Sequence, residues 1–198
     1  MDIATRSSTI GELQTSNKRL MMSNAGLVAA LLIAVISIFM QDKIVIQQIP
    51  GMPTNAEVRK SSMDVGAQRA ILLAVTSNIV QVNPSNAHYQ KMFLQAFLAP
   101  AVYTKVSMEI DAKAKLLADQ RELGSYYFVF REYQYDPKID KHFVIGEVHT
   151  VNAAKDTGEP YVFEYPVHVD NYRLVVDDIV SYKGDKAHNA SWFEGQKR

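Results

Sequence analysis

A run of 22 residues without a charge, from Leu20 to Gln41, constrains this chain more than any other feature. At about 1.5 Å per helical residue the run spans about 30 Å, which is the thickness of the hydrocarbon core of a bilayer. A core helix of this length would usually carry a polar stripe, and here polarity is confined to Ser23, Asn24 and Ser37. The sequence therefore predicts a transmembrane helix over 23–41. Its anchor residues are Ala25, Leu27, Leu31, Ile36 and Met40.

A cleaved signal peptide is the main alternative, because Lys18 and Arg19 precede the apolar run near the N-terminus. Cleavage calls for small residues just after the run, where SIFMQDK supplies Phe, Met and Gln. We therefore expect an uncleaved anchor with residues 1–22 as a cytoplasmic tail. Arg6, Lys18 and Arg19 lie before the anchor and only Lys43 lies close behind it, so the positive-inside bias places the following domain in the periplasm.

The overall charge argues against a nucleic-acid binder. The chain has 21 basic and 21 acidic residues, and phosphate binding relies on a basic excess gathered on one surface. There is no cysteine, which excludes disulfides and thiolate metal sites without identifying a compartment.

Helical patterns occupy the first half of the predicted periplasmic α+β domain, residues 61–182. Residues 42–60 contain Pro50, Gly51 and Pro53 and read as a linker, although Ile44 and Ile46 leave open whether it pairs as a strand. Ser61 and Asp64 have the spacing of a capping box at the start of a first helix, which NPSN at 83–86 ends. A second helix is predicted over about Asn86 to Ala99 and a third from Pro100 to about Leu123. The predicted inner face of the second helix is Tyr89, Met92, Phe93, Ala96 and Phe97.

After Gly124 the apolar period changes from near 3.6 to 2. The runs YYFVFREYQY, HFVIGEVHTV, YVFEYPVHV and YRLVV predict four antiparallel strands, with turns at DPKID, at KDTGEP and around Asp170–Asn171. Pro166 lacks a backbone donor, so the third strand should be an edge strand or contain a bulge. Three helices packed on a four-stranded antiparallel sheet make an α+β domain. Residues 183–198 are polar and predict a mobile tail.

No constellation of catalytic, cofactor-binding or metal-binding residues emerges from the sequence. His142 and His149 are an odd number of residues apart on one strand and face opposite ways, and His149 and His168 could meet only in one register, so surface or interfacial histidines are expected. Phosphate-loop, GxSxG and HExxH motifs are missing. Trp192 and Phe193, an adjacent bulky pair in the polar tail, are the candidate protein contacts, as a short docking peptide or as an idle feature.

The layout resembles the TraE-type inner-membrane proteins of conjugative type IV secretion systems. The features that carry the resemblance are the anchor Ala25–Met40, the linker IVIQQIPGMP, the block NPSNAHYQKMFLQAFLAPAVYTKV and the meander that ends YRLVVDDIVSYKGD. The resemblance implies a cone-like domain of the nuclear-transport-factor and cystatin-like kind. It also implies a single-pass protein that forms homo-oligomers and bridges inner-membrane and periplasmic subunits of a plasmid transfer machine.

Three functions are therefore weighed. The first is a non-enzymatic scaffold that supports DNA transfer or pilus biogenesis through protein contacts and lipid anchoring, with no cofactor, small-molecule substrate or direct nucleic-acid contact. The second is a membrane-tethered small-molecule-binding domain or enzyme with a cleft under the sheet, and the third is a division-type adaptor. A filled interior with apolar patches outside would favour the first, and an apolar cavity holding a carboxylate of raised pKa would favour the second.

Overall fold

The computed structural model describes residues 3–40, 51–54, 56–119, 123–152 and 154–196. The chain divides into two units, Met1–Lys43 and Ile44–Arg198. Most of the predicted linker, including Ile44 and Ile46, lies outside the described residues. Whether that linker pairs as a strand therefore stays open.

The first unit is one α-helix, α1 (Ile3–Met40). Its stretch Ile10–Met40 reaches a mean hydropathy of 2.2, and none of its most apolar window is buried, so the helix is long and apolar enough to cross a membrane. The hydroxyl of Ser37, inside the apolar stretch, is satisfied within the helix, because Oγ donates to the Ile33 carbonyl at 2.8 Å. All five predicted anchor residues have exposed side chains on α1. The helix also extends through most of the predicted tail 1–22.

The second unit opens with three helices, α2 (Val65–Val80), α3 (Ala87–Gln95) and α4 (Pro100–Asp119). The predicted capping box at Ser61 is wrong, because Asp64 is itself the N-cap and its carboxylate accepts a hydrogen bond from the Gly66 amide at 2.8 Å. Pro100 stands at the first position of α4, where its missing N–H costs no helical hydrogen bond.

The face predicted to pack inward in the second helix is wrong for Tyr89 and Met92, whereas Phe93 and Phe97 are partly buried against the core. Tyr89 and Met92 are exposed, and the residues that α3 buries are Ala87, Gln90 and Leu94. A helix of nine residues with apolar side chains on both sides does not fix its own rotation. The chain that follows fixes it, because Leu98 forms a parallel bridge with Val176.

Five strands follow the helices: β1 (Leu123–Asp136), β2 (Lys141–Asn152), β3 (Asp156–Asp170), β4 (Arg173–Val176) and β5 (Val180–Lys183). The sheet is antiparallel with the order β1-β2-β3-β4, and β5 also pairs with β3. The α+β class is confirmed, but the sequence misses β5, whose four residues show too little alternation to predict a strand. The turn predicted at KDTGEP is wrong, since β3 begins at Asp156 and the reversal lies before it.

Pro166 lies inside β3 at the point where the strand changes partners. β3 pairs with β2 up to Pro166 on one side, and on the other it pairs with β5 through Glu164 and with β4 from Val167. The Pro166 carbonyl accepts a hydrogen bond from Asp177, in the break between β4 and β5. The edge position predicted from Pro166 is therefore wrong, because a central strand tolerates proline where its partner is interrupted.

Helices α2–α4 cover one face of the sheet, which we call the inner face. Its core includes Phe128, Val144, Phe163 and Tyr165. Tyr165 is fully buried, and its hydroxyl lies 2.7 Å from Thr76 Oγ1. Since Thr76 Oγ1 donates to the Leu72 carbonyl, Tyr165 donates to Thr76. Two buried hydroxyls are thus satisfied without water, and burial raises the pKa of Tyr165 far above its ordinary value.

Strand β1 carries a β-bulge at Arg131. The register with β2 shifts between Phe130 and Glu132, so Arg131 has no opposite residue in β2. Its guanidinium pairs with Glu147 at 2.7 Å. Among the described residues β1 pairs only with β2, which makes it an edge strand.

The C-terminal residues do not form the mobile tail that the sequence predicts. After β5 the chain turns at Gly184 and forms helix α5 (Ala190–Gln196). We call residues 184–196 the strap. The Ala190 amide donates to Asp136 Oδ2 at 2.7 Å, which connects the strap to the turn between β1 and β2.

Candidate protein-interaction site

The face of the sheet opposite α2–α4, which we call the outer face, holds a second apolar cluster. Because side chains alternate along a strand, Phe143 and Ile145 of β2 point away from Val144, and Val162 of β3 points away from Phe163. All three outer-face side chains are nearly inaccessible to solvent, at 0%, 3% and 0% exposure. They pack with Ala187 of the strap. The strap, together with Ile139 and Tyr182, therefore covers this face.

A buried carboxylate lies at the edge of this cluster. Glu164 is 4% exposed, and a charge at such a site needs polar partners. Lys141 Nζ lies 3.2 Å from Oε2, and the Tyr182 hydroxyl donates to Oε1 at 2.9 Å. The strap supplies a further neighbour, His188 Nδ1, at 3.7 Å from Oε1. Burial raises the pKa of Tyr182, which keeps that hydroxyl a donor at physiological pH.

An aromatic stack attaches the strap to the sheet. The rings of Tyr182 and His188 are parallel, with centroids 4.0 Å apart. The second ring beside His188 is that of Trp192, with centroids 3.9 Å apart. The His188 amide donates to the Tyr182 hydroxyl at 2.8 Å, and Asn189 Oδ1 accepts from the Trp192 amide at 3.0 Å. Trp192, one of the two residues predicted to contact another protein, thus makes its contacts within the molecule.

Phe193, the other half of that pair, remains exposed at 46% and contacts Trp192 edge to face at 5.0 Å. Adjacent residues on a helix point in different directions, so Trp192 packs beside His188 while Phe193 faces solvent. The prediction of a protein contact at Trp192 and Phe193 stays a prediction. Sequence reasoning missed Glu164 and His188, because a buried ion pair and a ring stack depend on strand register.

A second polar cluster connects β1, β2 and the start of β3. His149 Nδ1 lies 2.9 Å from Asp156 Oδ1, and its Nε2 lies 3.2 Å from Glu147 Oε2. The Tyr127 hydroxyl donates to Asp156 Oδ2 at 2.6 Å and its ring stacks on His149. The hydrogen bond to Asp156, followed by that to Glu147, raises the pKa of His149 above its ordinary value.

This arrangement predicts that the His149 cluster stabilises the fold most at acid pH. A raised folded-state pKa contributes stability that is fully present below the unfolded pKa of about 6.5 and is lost as pH rises through the folded pKa. We expect His149→Gln to lower the thermal midpoint more at pH 5.5 than at pH 8.5. Equal losses at both pH values for His149→Gln would contradict the prediction.

The three histidines considered as possible metal ligands, His142, His149 and His168, do not come together. His142 is buried at 2% exposure beside Tyr133 and Tyr135, so the prediction of a surface or interfacial position is wrong for it. His149 stands opposite Gly158 and His168 opposite Val175, which is not the register that would join them. In the described part of the chain no group of three or more His, Asp or Glu side chains is placed to hold a metal ion.

A small-molecule-binding domain or enzyme would need a cleft under the sheet. Three large core side chains of the inner face lie there, Phe128, Phe163 and Tyr165. An open groove of about 290 Å³ runs between α4 and β5. Apolar side chains line its floor, including Val106, Phe163 and Ile179, and Lys105, Glu109 and Asp178 are among the residues around it.

An apolar helix long enough to span a bilayer, followed by an α+β domain, is the organisation of a bitopic inner-membrane protein. The sequence model of the family described as TraE protein matches residues 1–181. The chain therefore belongs to the TraE family, whose members are components of conjugative type IV secretion systems. Membership of this family makes the chain a component of a type IV secretion system.

Solved structures also include a similar fold. The VirB8 protein of Agrobacterium tumefaciens is 10% identical, with a TM-score of 0.47 over 61% of this chain and 93% of that chain. A comparison with curated proteins gives no match.

Proposed function

We propose that this protein is a bitopic scaffold subunit of a conjugation machine. Its helix α1 anchors it in the inner membrane with the N-terminus in the cytoplasm, and its α+β domain stands in the periplasm. There it binds further copies of itself and other inner-membrane and periplasmic subunits, and so supports DNA transfer or pilus biogenesis. It contacts lipid through the anchor and does not bind nucleic acid or a small-molecule substrate itself.

The observation that carries the proposal is the combination of an exposed apolar helix with a domain whose inner sheet face is packed with large side chains such as Phe128 and Tyr165. We expect such a domain to act through its surface. Tyr89 and Met92 on α3, with 71% and 58% exposure, and Met108 on α4, with 62%, are large apolar side chains at the surface. Aromatic residues and methionine are enriched at protein interfaces relative to other surface. These side chains are therefore suitable contacts for other subunits.

The excess of basic residues before the anchor supports the proposed orientation. Three such residues precede it, Arg6, Lys18 and Arg19, and Lys43 follows it. Positive charges close to a membrane span are retained on the cytoplasmic side. A cytoplasmic N-terminus with a periplasmic domain is the arrangement that agrees with this bias.

Cross-linking of the intact protein in membranes tests the proposal. We expect an amine-reactive reagent to yield homo-oligomers and adducts with other envelope proteins of the transfer machine. As a control, Leu31→Arg with Ile36→Arg places two charges in the centre of the anchor, which should release the protein from the membrane and abolish these adducts. A protein that stays strictly monomeric in membranes and captures no envelope protein would contradict a scaffold.

The absence of cysteine makes the orientation measurable in the same cells. Ser16 on α1 and Ser191 on α5 are both exposed, so each can be replaced by cysteine. An impermeant maleimide should label Ser191→Cys in spheroplasts and Ser16→Cys only after lysis. The reverse pattern would place the α+β domain in the cytoplasm.

A further inference from the structure

The strap covers the outer face through one buried side chain together with the ring stack and hydrogen bonds described above. Ala187 is the buried residue, and α5 buries none. The ion pair of Lys138 with Glu194 at 3.5 Å is exposed on both sides and is therefore weak. The surface beneath includes the apolar side chains of Phe143 and Val162. Detaching the strap would break the stack and the hydrogen bonds and would expose a patch that water disfavours, so a detached strap is driven to dock again.

The hinge that begins the strap is short. Three residues, Gly184 to Lys186, separate the end of β5 from the docked Ala187. Gly184 has a φ of +140°, a conformation that glycine tolerates and other residues rarely adopt. A short hinge favours exchange of the following segment between identical copies.

The strap also follows the part of the chain that the family shares. The TraE match ends at Ser181, within β5, so the turn at Gly184 and helix α5 come after it. The match therefore covers the anchor and all but the last two residues of the helix-and-sheet body.

We propose that the outer face is a docking surface for the strap of a second copy of this chain. A face that binds the strap within one molecule can make the same contacts with the identical strap of a neighbour, which is the basis of segment exchange. The inference rests on the proposed function in one respect, that copies gather in the membrane. There the high effective concentration of neighbouring straps favours docking between copies.

The charges on the two sides fit this occupant. Glu164 and Asp136 of the receiving surface face His188 and the Ala190 amide of the strap. Lys138 of the same surface faces Glu194. Each of these contacts can form within one copy or between two, and a peptide without this order of groups would leave the buried Glu164 with fewer partners.

Two single-cysteine variants distinguish the arrangements. Full-length chains carrying Lys138→Cys with one tag and Glu194→Cys with another are produced together in the same membranes and treated with a short bismaleimide. Because the chain has no native cysteine, only the introduced sites react. We expect an adduct that carries both tags. A chain that carries both Lys138→Cys and Glu194→Cys is the control, because it shows that the reagent can span the distance between the two positions.

The decisive negative result is specific. If the double variant cross-links only within one chain, and the mixed variants give no two-tag adduct while amine cross-linking still joins copies, strap exchange is overturned and the scaffold proposal stands. If amine cross-linking joins no copies either, both proposals fail.

A hinge variant gives a graded second test. Gly184→Ala should disfavour the closed turn and raise the two-tag fraction about threefold or more, since alanine tolerates a φ of +140° poorly. Gly195→Ala, where an added Cβ meets nothing within 4 Å, should leave it unchanged. A two-tag fraction that does not respond to Gly184→Ala would overturn the role of the Gly184 turn in closing the strap.

Discussion

Replacing Gly146 by alanine is expected to destabilise the α+β domain by about 3 kcal/mol or more. Gly146 lies in the middle of β2, paired with Phe130 on one side and Tyr161 on the other. A Cβ at this position would come within 3.0 Å of both the Val129 carbonyl oxygen and the ring of Phe128. The carbonyl belongs to the paired backbone and cannot move aside without breaking the ladder.

Phe128 explains why the position is glycine. Its ring lies over Gly146 and is itself held edge to face by Phe163 at 5.7 Å, so it has no free direction in which to retreat. A glycine covered by a neighbouring aromatic ring is a recognised device of antiparallel sheets. The loss of packing and the strained backbone therefore add in Gly146→Ala.

Denaturation of the detergent-solubilised full chain measures the effect. Gly195→Ala is the matched control, because it adds the same methyl group in open space on α5 and should leave stability unchanged or raise it by up to about 1 kcal/mol. A Gly146→Ala protein as stable as the Gly195→Ala protein would show that the sheet is looser at β2 than the close contact with Phe128 implies.

Acidification from pH 7 to pH 4 is expected to cost about 2 to 3 kcal/mol of stability through His142 alone. Burial lowers the pKa of this histidine from 6.5 to about 4, although Asp140 acts in the opposite direction. Because the pKa is lower in the folded chain, between about pH 6.5 and pH 4 the unfolded chain binds a proton at His142 that the folded chain does not bind. The stability is therefore fully present above about pH 6.5 and is lost as pH falls towards 4.

The neutral imidazole is held by its neighbours. Its Nδ1 lies 2.5 Å from the Tyr133 hydroxyl, and Tyr135 stacks on the ring with centroids 4.5 Å apart. Burial raises the pKa of Tyr133 as well, so the hydroxyl keeps its proton and donates it to Nδ1. Protonation of His142 would remove the acceptor that the Tyr133 hydroxyl uses and would place a charge in a buried site.

His142→Asn tests this account, because an asparagine Oδ1 can accept from Tyr133 and does not titrate. We expect the difference in unfolding free energy between pH 7 and pH 4.5 to be smaller in the variant than in the unchanged chain. Carboxylates that titrate in this range contribute to both proteins and cancel in the comparison. If both proteins lose the same stability, the buried histidine is not the group responsible.

The parts of the fold that sequence predicts are those where one pattern excludes the alternatives. The apolar run that ends at Met40 can only be a long helix, and alternation in YVFEYPVHV places Phe163 and Tyr165 on one face, as found. The rotation of α3 and the existence of β5 depend instead on contacts made far along the chain. Val176 fixes the first, and β3 supplies the partner for the second.

The candidate site shows the same limit more sharply. The Trp192 and Phe193 pair is visible as an oddity in a polar tail, but its neighbours are not. Asp136, which accepts from the Ala190 amide, lies 54 residues away, and Glu164 becomes buried only once β5 and the strap are in place. No spacing in the sequence encodes such a meeting.

The bulge at Arg131 has a consequence for how copies can gather. A long strand with an open edge invites endless lateral growth into ribbons, and crowding beneath a membrane would make that hazard worse. Val129 and Phe130, both more than a third exposed, lie beside the kink, where the bulge and the Arg131 charge spoil a continuous ladder. In the proposed scaffold, copies would therefore meet through other faces, which permits a closed ring of fixed size instead of a fibre.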